Sequence, residues 1–477
     1  MSKFRINMLT KPEMDQIHAA SMRILERSGA IVRSEEALKL LKAAGAKVIE
    51  NEMRVFFPEK LVKDAIKAAP KEFVLGARNP RHDLRIPAKG FPYVSTDGFP
   101  AAIRDSDTGE KRPSVRRDLE KWALLADALP TVDFLWPSAS PTDLPPHVQF
   151  VGGLRTSYEM TEKHVQYQAV TREGAKFEIE MAQAVAGGER ENRKRPFFSA
   201  VACIIAPLQY DEGTTDAVIE FARAGIPVVA MSMVTPGLTG PVTLAGTVAL
   251  ANAEVLASLV ISQQAQKGAP VFYCFVCAPL DMKSGGFATG APEYGILEVA
   301  GTEMAKYYNL PSMMSGMGGS AKAPGAQIGF EKGISSTIVA LAGADLFTGI
   351  GGLNDAAFVS MEELLIDAQI WEDIKKNWNG MEVNESEIAL DLIEKVGPKG
   401  NYLNQQHTLL NFRRLHVSKY SDRSSYSAWE SGGKKDILDT VHAEVKKLLA
   451  SHKPAPLPKE VKEKLEEIEK RALRSSR

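Results

Sequence analysis

Short apolar runs alternate with longer amphipathic segments through the middle of the chain, between residues 91 and 375. Each run is almost continuously hydrophobic, which is typical of strands that are buried on both faces of a parallel sheet. The segments between the runs have the helical period of 3.6 residues, as helices that cover such a sheet do. The eight runs are residues 93–96, 134–136, 165–170, 197–205, 227–231, 271–275, 312–315 and 344–350.

Eight strands that are each followed by a helix predict a TIM (β/α)8 barrel, a fold of the α/β class. Most runs end in Gly, Pro, Ser or Thr, where a loop from strand to helix must begin. A doubly wound open sheet is the alternative, because it has the same alternation of strands and helices. We expect a catalytic barrel domain over residues 91–375, with its active face at the carboxyl ends of the strands.

Residues 1–90 predict a small N-terminal helical module that precedes the barrel. Apolar residues recur there at helical spacing, and charged faces separate them. A glycine or a proline marks the ends of several elements. The predicted elements are helices over 11–29 and 34–45, a helix that begins at Pro58, and short strands at 54–57 and 73–75.

Residues 376–477 predict a C-terminal helical extension. Its last segment, from residue 458, pairs opposite charges at helical spacing and places Leu465, Ile468 and Leu473 on one side. We expect this helix to dock on the body of the protein or on a neighbour. Because both flanking regions are too polar to form cores of their own, we also expect a homo-oligomer.

Composition excludes several classes of protein. The 477 residues are 44% hydrophobic and 25% charged, which is the usage of globular proteins and not of disordered or fibrous ones. The net charge of −1 gives no overall attraction to nucleic acid or to an anionic membrane. An apolar run over 242–261 contains Asn252 and Glu254, so it predicts a buried helix and not a membrane span.

Three cysteines are too few for a disulfide scaffold and indicate a reducing compartment, and no secretory signal is recognisable; we expect a cytoplasmic protein. Cys274 and Cys277 have Cys-x-x-Cys spacing, but no histidine lies near them in sequence. Residues three apart on a strand point to opposite faces. Buried thiols are therefore the preferred interpretation, and a zinc site is the alternative.

Two glycine clusters follow the last two strands, GMGG at 316–319 and GIGG at 349–352. Neither has the spacing of a dinucleotide-binding loop or a P-loop. Glycines here either allow tight turns or let the backbone approach a bulky ligand, such as the tail of a cofactor. No serine lies in the G-x-S-x-G motif of a nucleophilic triad.

Asp97 directly follows the first strand, where a carboxylate is either functional or caps the next segment. Aromatic rings around a carboxylate suit a quaternary ammonium ligand, although such rings also fill the layers of a barrel. Other carboxylates near strand ends are Asp281, Glu293, Glu298, Asp345 and Asp355, and the aromatic residues are Tyr93, Phe99, Trp136, Phe275, Phe287, Tyr294, Phe347 and Phe358.

Several long strings resemble the trimethylamine methyltransferase superfamily of corrinoid-dependent methyltransferases. They include TGPVTLAGTVALANAEVLASLVISQQAQKGAPVFYC (239–274), LDMKSGGFATGAPEYGIL (280–297) and SAKAPGAQIGFEKGISSTIVALAGADL (320–346). The resemblance covers roughly residues 8–375 and implies a TIM barrel, in agreement with the strand pattern. Members of the family transfer a methyl group from a methylated amine to Co(I) of a cobalamin, which a separate corrinoid protein carries.

The founding branch of this family uses pyrrolysine, and the present chain contains only standard residues, including those of 320–333. The resemblance therefore implies the pyrrolysine-lacking branch, whose substrates include quaternary amines. A quaternary nitrogen is already a positive leaving group, so attack by Co(I) needs no further activation. Glycine betaine, which would give dimethylglycine, is the first choice, and proline betaine, carnitine and γ-butyrobetaine are alternatives. We expect no metal bound by the chain itself.

From their positions at the predicted strand ends, Tyr93, Phe347 and Phe358 are expected to surround the trimethylammonium group, with Asp97 as the counter-charge. Two further hypotheses come from other classes of protein. One is a non-catalytic protein that binds quaternary amines, and the other is a zinc-dependent methyltransferase that uses the two nearby cysteines.

The carboxylate of a betaine needs a cationic or hydrogen-bonding partner, for which Gln168, Lys322 and Arg172 are the candidates by position. The corrinoid protein is expected to dock over the mouth of the barrel and to bring its cobalt to the methyl group. These assignments rest on predicted placement and on no list of family residues.

Overall fold

A computed structural model describes residues 4–168 and 170–475. Ala169, in the third predicted run, and residues 1–3 and 476–477, at the ends of the predicted flanking regions, lie outside the described residues. Eight parallel strands close into a barrel, in the order in which they follow one another along the chain. The strands are β1 (Tyr93–Thr96), β2 (Phe134–Leu135), β3 (His164–Tyr167), β4 (Phe198–Ile204), β5 (Val228–Ser232), β6 (Val271–Phe275), β7 (Ser312–Ser315) and β8 (Leu346–Ile350).

The barrel closes where β8 pairs with β1, with Leu346 opposite Tyr93. Each strand lies within a few residues of the corresponding predicted run, so the predicted TIM barrel is confirmed and the open sheet is wrong. The signal was strong because residues buried on both faces of a strand leave almost no polar positions.

Helices surround the barrel and extend it at both ends. They are α1 (Lys11–Arg23), α2 (Glu35–Ala43), α3 (Glu59–Ala68), α4 (Arg116–Ala128), α5 (Gln149–Met160), α6 (Arg172–Ala186), α7 (Glu189–Lys194), α8 (Glu212–Ala224), α9 (Leu244–Ala265), α10 (Pro292–Tyr307), α11 (Ala326–Ala342), α12 (Met361–Asn379), α13 (Glu385–Ile388), α14 (Leu390–Val396), α15 (Gln406–Asn411), α16 (Tyr426–Ser431), α17 (Ile437–Ser451) and α18 (Lys459–Arg474).

Short strands outside the barrel join loops at its two ends. A hairpin of Phe73–Leu75 and Leu84–Ile86 closes the amino end, where the Phe73 ring lies 5.1 Å from the Phe272 ring of β6. The other strands are Ala30–Val32, Lys47–Ile49, Arg54–Phe56, Ala102–Arg104, Lys111–Pro113, Gln209–Tyr210, Gly352–Leu353 and Phe358–Val359.

The N-terminal helices pack directly on the barrel, chiefly on α9. The Ser21 hydroxyl donates to the carbonyl of Ala249 over 2.8 Å, and the Asn252 amide donates to the Ser21 hydroxyl over 2.8 Å. Ile31 and Val32 pair with Gln209 and Tyr210, which follow β4. One continuous hydrophobic cluster therefore joins the N-terminal residues to the helix layer of the barrel.

Helix α9 is long and apolar enough to cross a membrane, but 78% of its most apolar window is buried inside the protein. Its polar residues have partners there. The Glu254 carboxyl accepts hydrogen bonds from the Leu208 N–H and the Ser232 hydroxyl over 2.8 and 2.7 Å. Burial raises the pKa of Glu254 to about 7. The prediction of a buried helix is confirmed.

The C-terminal helices dock on the outer layer of the barrel. Leu465 and Ile468 of α18 are buried, as the charge pattern predicted, whereas Leu473 is exposed. Glu469, with 5% of its side chain exposed, receives hydrogen bonds over 2.5 Å from both Arg116 of α4 and Arg155 of α5. This carboxylate therefore attaches α18 to two barrel helices.

Replacement of Glu469 by Gln should lower the free energy of unfolding by about 2 kcal/mol, because it removes the buried carboxylate charge that the guanidinium groups of Arg116 and Arg155 share. Urea unfolding measures the change. Glu463→Gln is the matched control, since Glu463 is exposed and lies 3.7 Å from Lys459; its effect should stay within about 0.5 kcal/mol. Equal effects of the two variants would contradict this role of Glu469.

Candidate functional site

The candidate site lies at the carboxyl end of the barrel, where β1, β2 and β3 end. Asp97, Trp136 and Gln168 directly follow these three strands. Gln166 of β3 reaches across the barrel to the Met313 sulfur of β7 over 3.3 Å, so it faces the interior. Because side chains alternate along a strand, Gln168 lies on the same inner face, and it is buried.

Asp97 is the carboxylate at this mouth. Its Oδ1 accepts a hydrogen bond from the Gly98 N–H over 2.8 Å, and its Oδ2 lies against Gly352, where any side chain would collide with it. Burial raises the pKa of Asp97, while the Gly98 N–H and the charge of Lys332 oppose this shift. A cation bound beside this carboxyl would favour its ionised form.

Two aromatic residues lie on the loops that follow β1 and β2, and the Phe99 ring also packs on Phe150 of α5, 5.9 Å away. The Phe99 and Trp136 rings lie 5.8 Å apart. A methyl group added at Gly98 would lie 3.9 Å from Cζ2 of Trp136, so the N–H edge of the indole is turned toward the loop after β1. Among the described residues, the buried Trp136 Nε1 has no hydrogen-bond partner. The mouth thus combines a carboxylate, two aromatic rings and a free N–H donor.

A buried ion cluster lies directly behind this mouth. The Lys332 ammonium group of α11 donates to Asp367 over 2.5 Å, to Glu363 over 3.2 Å and to the Gly352 carbonyl over 2.7 Å. The Gly351 N–H also donates to Asp367 over 2.7 Å. Burial lowers the pKa of Lys332, but the two carboxylates raise it more, so the ammonium group stays charged.

A second buried carboxyl holds the ends of β6 and β7. Glu298 accepts hydrogen bonds from the Ser315 N–H over 2.8 Å and the Cys277 N–H over 3.2 Å. Burial raises the pKa of Glu298 well above its usual range, which favours the neutral form of this carboxyl, while the two backbone hydrogen bonds oppose the shift. The nearby Tyr294 hydroxyl donates to the Ser315 hydroxyl over 2.7 Å.

Asp355 ties together the loops that follow β6, β7 and β8. Its Oδ1 accepts hydrogen bonds over 2.8 Å from the Thr289 N–H, the Thr289 hydroxyl and the Ser320 hydroxyl. Asn354, Asp355 and Ala356 have φ of 51°, 57° and 62°, three successive left-handed residues that are not glycine. Such a conformation costs energy and persists where the surroundings fix it.

Two of the expected cage residues lie elsewhere. Tyr93 is the first residue of β1 and therefore lies at the amino end of the barrel, about 13 Å along the strand from Asp97. Phe347 points outward from β8, with its ring 4.4 Å from the Trp371 ring of α12. The expected position of both rings at the mouth was wrong, since one is at the opposite end and the other is in the helix layer.

Phe358 lies in the short strand that follows the loop after β8. Its ring is buried in a small cluster with Ala321, Ile328 and Leu353, and the Lys111 ammonium group lies 5.3 Å from its centre. A cation already covers this ring, so the structure does not bring Phe358 together with Asp97 in one cage.

The three candidate partners for a substrate carboxylate lie in three different parts of the structure. Gln168 is buried at the mouth. Lys322 is exposed and donates to the Ser320 carbonyl over 2.6 Å. Arg172 lies outside the barrel, where it pairs with the carboxylates of Glu36, Asp216 and Glu220 at 2.5–3.1 Å. Of the three residues, Gln168 alone shares the inner face of the mouth.

Sequence reasoning named Phe99 and Trp136 among the aromatic residues near strand ends but did not choose them. The usable signal was their position directly after strands, beside Asp97. The ion cluster was missed completely, because Lys332, Glu363 and Asp367 lie inside helical patterns where charges normally face water.

The surroundings of the cysteines and of Gly316 are those of closely packed residues in the interior of the protein. Cys274 and Cys277 are buried, and burial raises the pKa of both thiols well above the usual range. Within residues 4–168 and 170–475, no group of three or more His, Cys, Asp and Glu side chains could hold a metal ion. At Gly316 the Phe347 ring fills the space of a side chain. Close packing thus accounts for a glycine at this position.

The fold and the mouth define a class of protein, the (β/α)8 barrels that present a carboxylate and aromatic rings at the carboxyl ends of their strands. The model of one family, trimethylamine methyltransferase (MTTB), matches residues 2–475. The chain belongs to this trimethylamine methyltransferase family.

Two relatives from Desulfitobacterium hafniense match almost the whole chain. A trimethylamine methyltransferase, MttB, is 36% identical over 456 residues, which are 96% of this chain and 92% of the relative. A glycine betaine methyltransferase is 32% identical over 468 residues, 97% of this chain and 96% of the relative.

A solved structure supports the fold. The crystal structure of the Methanosarcina barkeri monomethylamine methyltransferase superposes with a TM-score of 0.50 and 13% identity, over 92% of each chain. The resemblance inferred from the sequence strings is thus confirmed at the level of family and fold.

Replacement of Lys332 by Met should lower the free energy of unfolding by about 3–5 kcal/mol, because it leaves two buried carboxyls without a counter-charge. In the original chain burial raises the pKa of Asp367 and the charge of Lys332 opposes that rise, so removal of Lys332 raises this pKa further and extends the pH range in which the folded variant keeps Asp367 protonated. The unfolded chain releases that proton at a lower pH. The variant should therefore lose stability as the pH rises from 5 to 8, relative to the original chain.

Urea unfolding at several pH values measures this difference. Lys322→Met is the matched control, because Lys322 is exposed and should change stability by less than about 0.5 kcal/mol. The double variant Lys332→Met/Asp367→Asn should recover part of the loss at pH 8. A loss that is independent of pH would contradict the proposed protonation of the cluster.

Proposed function

We propose that this protein transfers a methyl group from a quaternary amine, glycine betaine first, to Co(I) of a corrinoid carried by a separate protein. The observation that carries the proposal is the Asp97 carboxyl at the carboxyl end of the barrel, with the Trp136 indole close to the adjacent Gly98 and the Phe99 ring packed on Trp136. Membership of the methyltransferase family and the glycine betaine methyltransferase among the relatives support it.

Binding of the trimethylammonium group follows from this geometry. The ring faces of Trp136 and Phe99 attract a desolvated cation by about 0.5–2 kcal/mol each. The carboxylate of Asp97 is the counter-charge, and its raised pKa in the free protein means that the bound cation stabilises the ionised form. The amide of Gln168 and the free N–H of Trp136 can donate to the carboxylate of a betaine.

The partner corrinoid supplies the Co(I) nucleophile that accepts the methyl group. The residues of this chain hold the substrate so that one methyl group faces the open end of the barrel, and they exclude water around it. The nitrogen leaves this step as a neutral tertiary amine, so its electrostatic attraction to Asp97 is lost until the product takes up a proton from water. The transfer step itself requires no proton, which is consistent with a carboxylate whose role is to attract the cation.

The rim of the mouth has features that suit a protein partner. Ile205 directly follows β4 and Met233 directly follows β5, and both are at least one-third exposed. Val242, farther along the loop after β5, and Met282, in the loop after β6, are 73% and 82% exposed. Exposed apolar side chains that lie close together on a surface mark sites of interaction with other proteins. We propose that the corrinoid protein docks on this rim.

Trimethylamine is the second candidate substrate, because the relative with 36% identity is a trimethylamine methyltransferase. It would leave Gln168 and the Trp136 N–H without a carboxylate to bind. Proline betaine, carnitine and γ-butyrobetaine offer the same charged groups as glycine betaine at other separations. A non-catalytic binding role is the remaining alternative.

The substrate test follows the Co(I) absorbance of a corrinoid protein after addition of each amine in turn. Rapid loss of the Co(I) spectrum with glycine betaine, and none with trimethylamine, would establish the methyl transfer reaction and glycine betaine as its substrate. Activity with trimethylamine alone would overturn the quaternary-amine proposal. If calorimetry shows that a betaine binds but the Co(I) spectrum does not change with any amine, the protein has a non-catalytic binding role.

Replacement of Asp97 by Asn should reduce kcat/KM for methyl transfer from the quaternary amine by about 100-fold, since it removes a desolvated charge opposite the cation. The same absorbance assay measures the rates. Asp281→Asn is the matched control, because Asp281 lies exposed in a loop at the same end of the barrel and should have little effect. Similar rates for Asp97→Asn and the unaltered chain would remove Asp97 from the binding site.

The affinity for a quaternary amine should also fall as the pH is lowered through the raised pKa of Asp97, because the protonated carboxyl no longer attracts the cation. The quaternary nitrogen itself does not titrate. Isothermal titration calorimetry between pH 4.5 and 8 measures the dissociation constant. In Asp97→Asn this increase in dissociation constant toward low pH should disappear, and its persistence would assign it to another group.

A further inference from the structure

Residues 380–417 form an excursion from the body, which we call the arm. It leaves the end of α12 at Gly380, contains α13, α14 and α15, and returns along α12. The Lys376 ammonium group donates to the Arg414 carbonyl over 3.1 Å, and His416 lies 2.6 Å from the Asp373 carboxylate. Both ends of the arm are thus held on one helix.

The arm buries no residue of its own. Every residue from 381 to 417 is exposed or only half-buried, although many are large and apolar. Leu403 and Val417 are 82% and 80% exposed. The other large apolar side chains exposed there include Val383, Ile388, Leu390, Ile393, Leu409, Leu410, Phe412 and Leu415. A surface of this kind marks an interface with another macromolecule.

The charges of the arm are divided between its two halves. Residues 381–396 contain five carboxylates and one lysine, and residues 397–417 contain Lys399, Arg413 and Arg414 and no carboxylate. Within the chain, Arg414 pairs with Glu387 over 2.8 and 2.9 Å. The first half is therefore strongly acidic and the second half is basic, and one ion pair already joins them.

We infer that the arm pairs with the arm of a second copy of this chain across a two-fold axis. In such an interface the same surface of each copy must complement itself. An antiparallel pair of arms meets this condition, because each acidic half faces the basic half of the other copy while the apolar side chains are buried between them. An acidic or a basic foreign protein would complement only one half.

The test uses two charge-reversed forms of the full chain. Form A carries Glu385→Lys, Asp391→Lys and Glu394→Lys, so both halves of its arm are basic. Form B carries Lys399→Glu and Arg413→Glu, so both halves of its arm are acidic. Sedimentation velocity should show that the original chain forms dimers, and that A and B each self-associate at least tenfold more weakly. An equimolar mixture of A and B should form dimers again.

The control carries Glu460→Lys, Glu463→Lys and Glu467→Lys on the exposed face of α18 and should dimerise like the original chain. Circular dichroism checks that each form folds. A second measurement needs no variant: self-association of the original chain should weaken at least tenfold between low and high salt. A monomeric original chain, unchanged association of A and B, or a mixture that stays monomeric would each overturn the inference.

Discussion

The ammonium group of Lys332 is the charge on which the geometry of the mouth depends. It is completely buried between Asp367 and Glu363, and through the Gly352 carbonyl it fixes the backbone that follows β8. Asp97 lies against that backbone, so its position depends on an ion cluster whose side chains are completely buried. A buried ion cluster adds little to the stability of the fold. It selects one arrangement of the strand ends, because a misplaced strand end would leave a buried charge unpaired.

Buried carboxyls also fix strand ends elsewhere around the barrel, but there they are held by hydrogen bonds and not by an ion cluster. Glu254 and Glu298 each accept two hydrogen bonds at the ends of strands, and burial raises the pKa of both. They hold loops in place as uncharged or partly charged acids. Asp97 differs because it accepts only one backbone hydrogen bond and remains half-accessible at the mouth. A carboxyl with spare acceptor capacity beside aromatic rings is complementary to a cation that cannot donate hydrogen bonds.

The sequence pattern predicted the barrel and the position of Asp97 at the carboxyl end of its first strand, and the reasons are physical. Strands buried on both faces are recognisable as apolar runs, and Asp97 stood out as a charge directly after one of them. The predicted positions of Tyr93 and Phe347 were wrong, because a short distance in sequence from a strand end does not show at which end of the barrel a residue lies. It also does not show whether its side chain points into the barrel or toward the helices. Those properties depend on alternation and on closure of the barrel. Lys332 could not be found, because its partners are 31 and 35 residues away and belong to the next helix.

The positions of the arm and the mouth make two kinds of association compatible. Helix α12 starts after β8 at the carboxyl end of the barrel, and its last turn reaches the amino end, where the Trp378 ring lies 5.6 Å from the Phe91 ring. The arm therefore departs from the end opposite Asp97. Pairing of two arms would bury the apolar residues of the extension and leave the exposed rim around Ile205 and Met282 accessible. A corrinoid protein could then reach the mouth of each copy independently, which is required if every barrel is to transfer methyl groups.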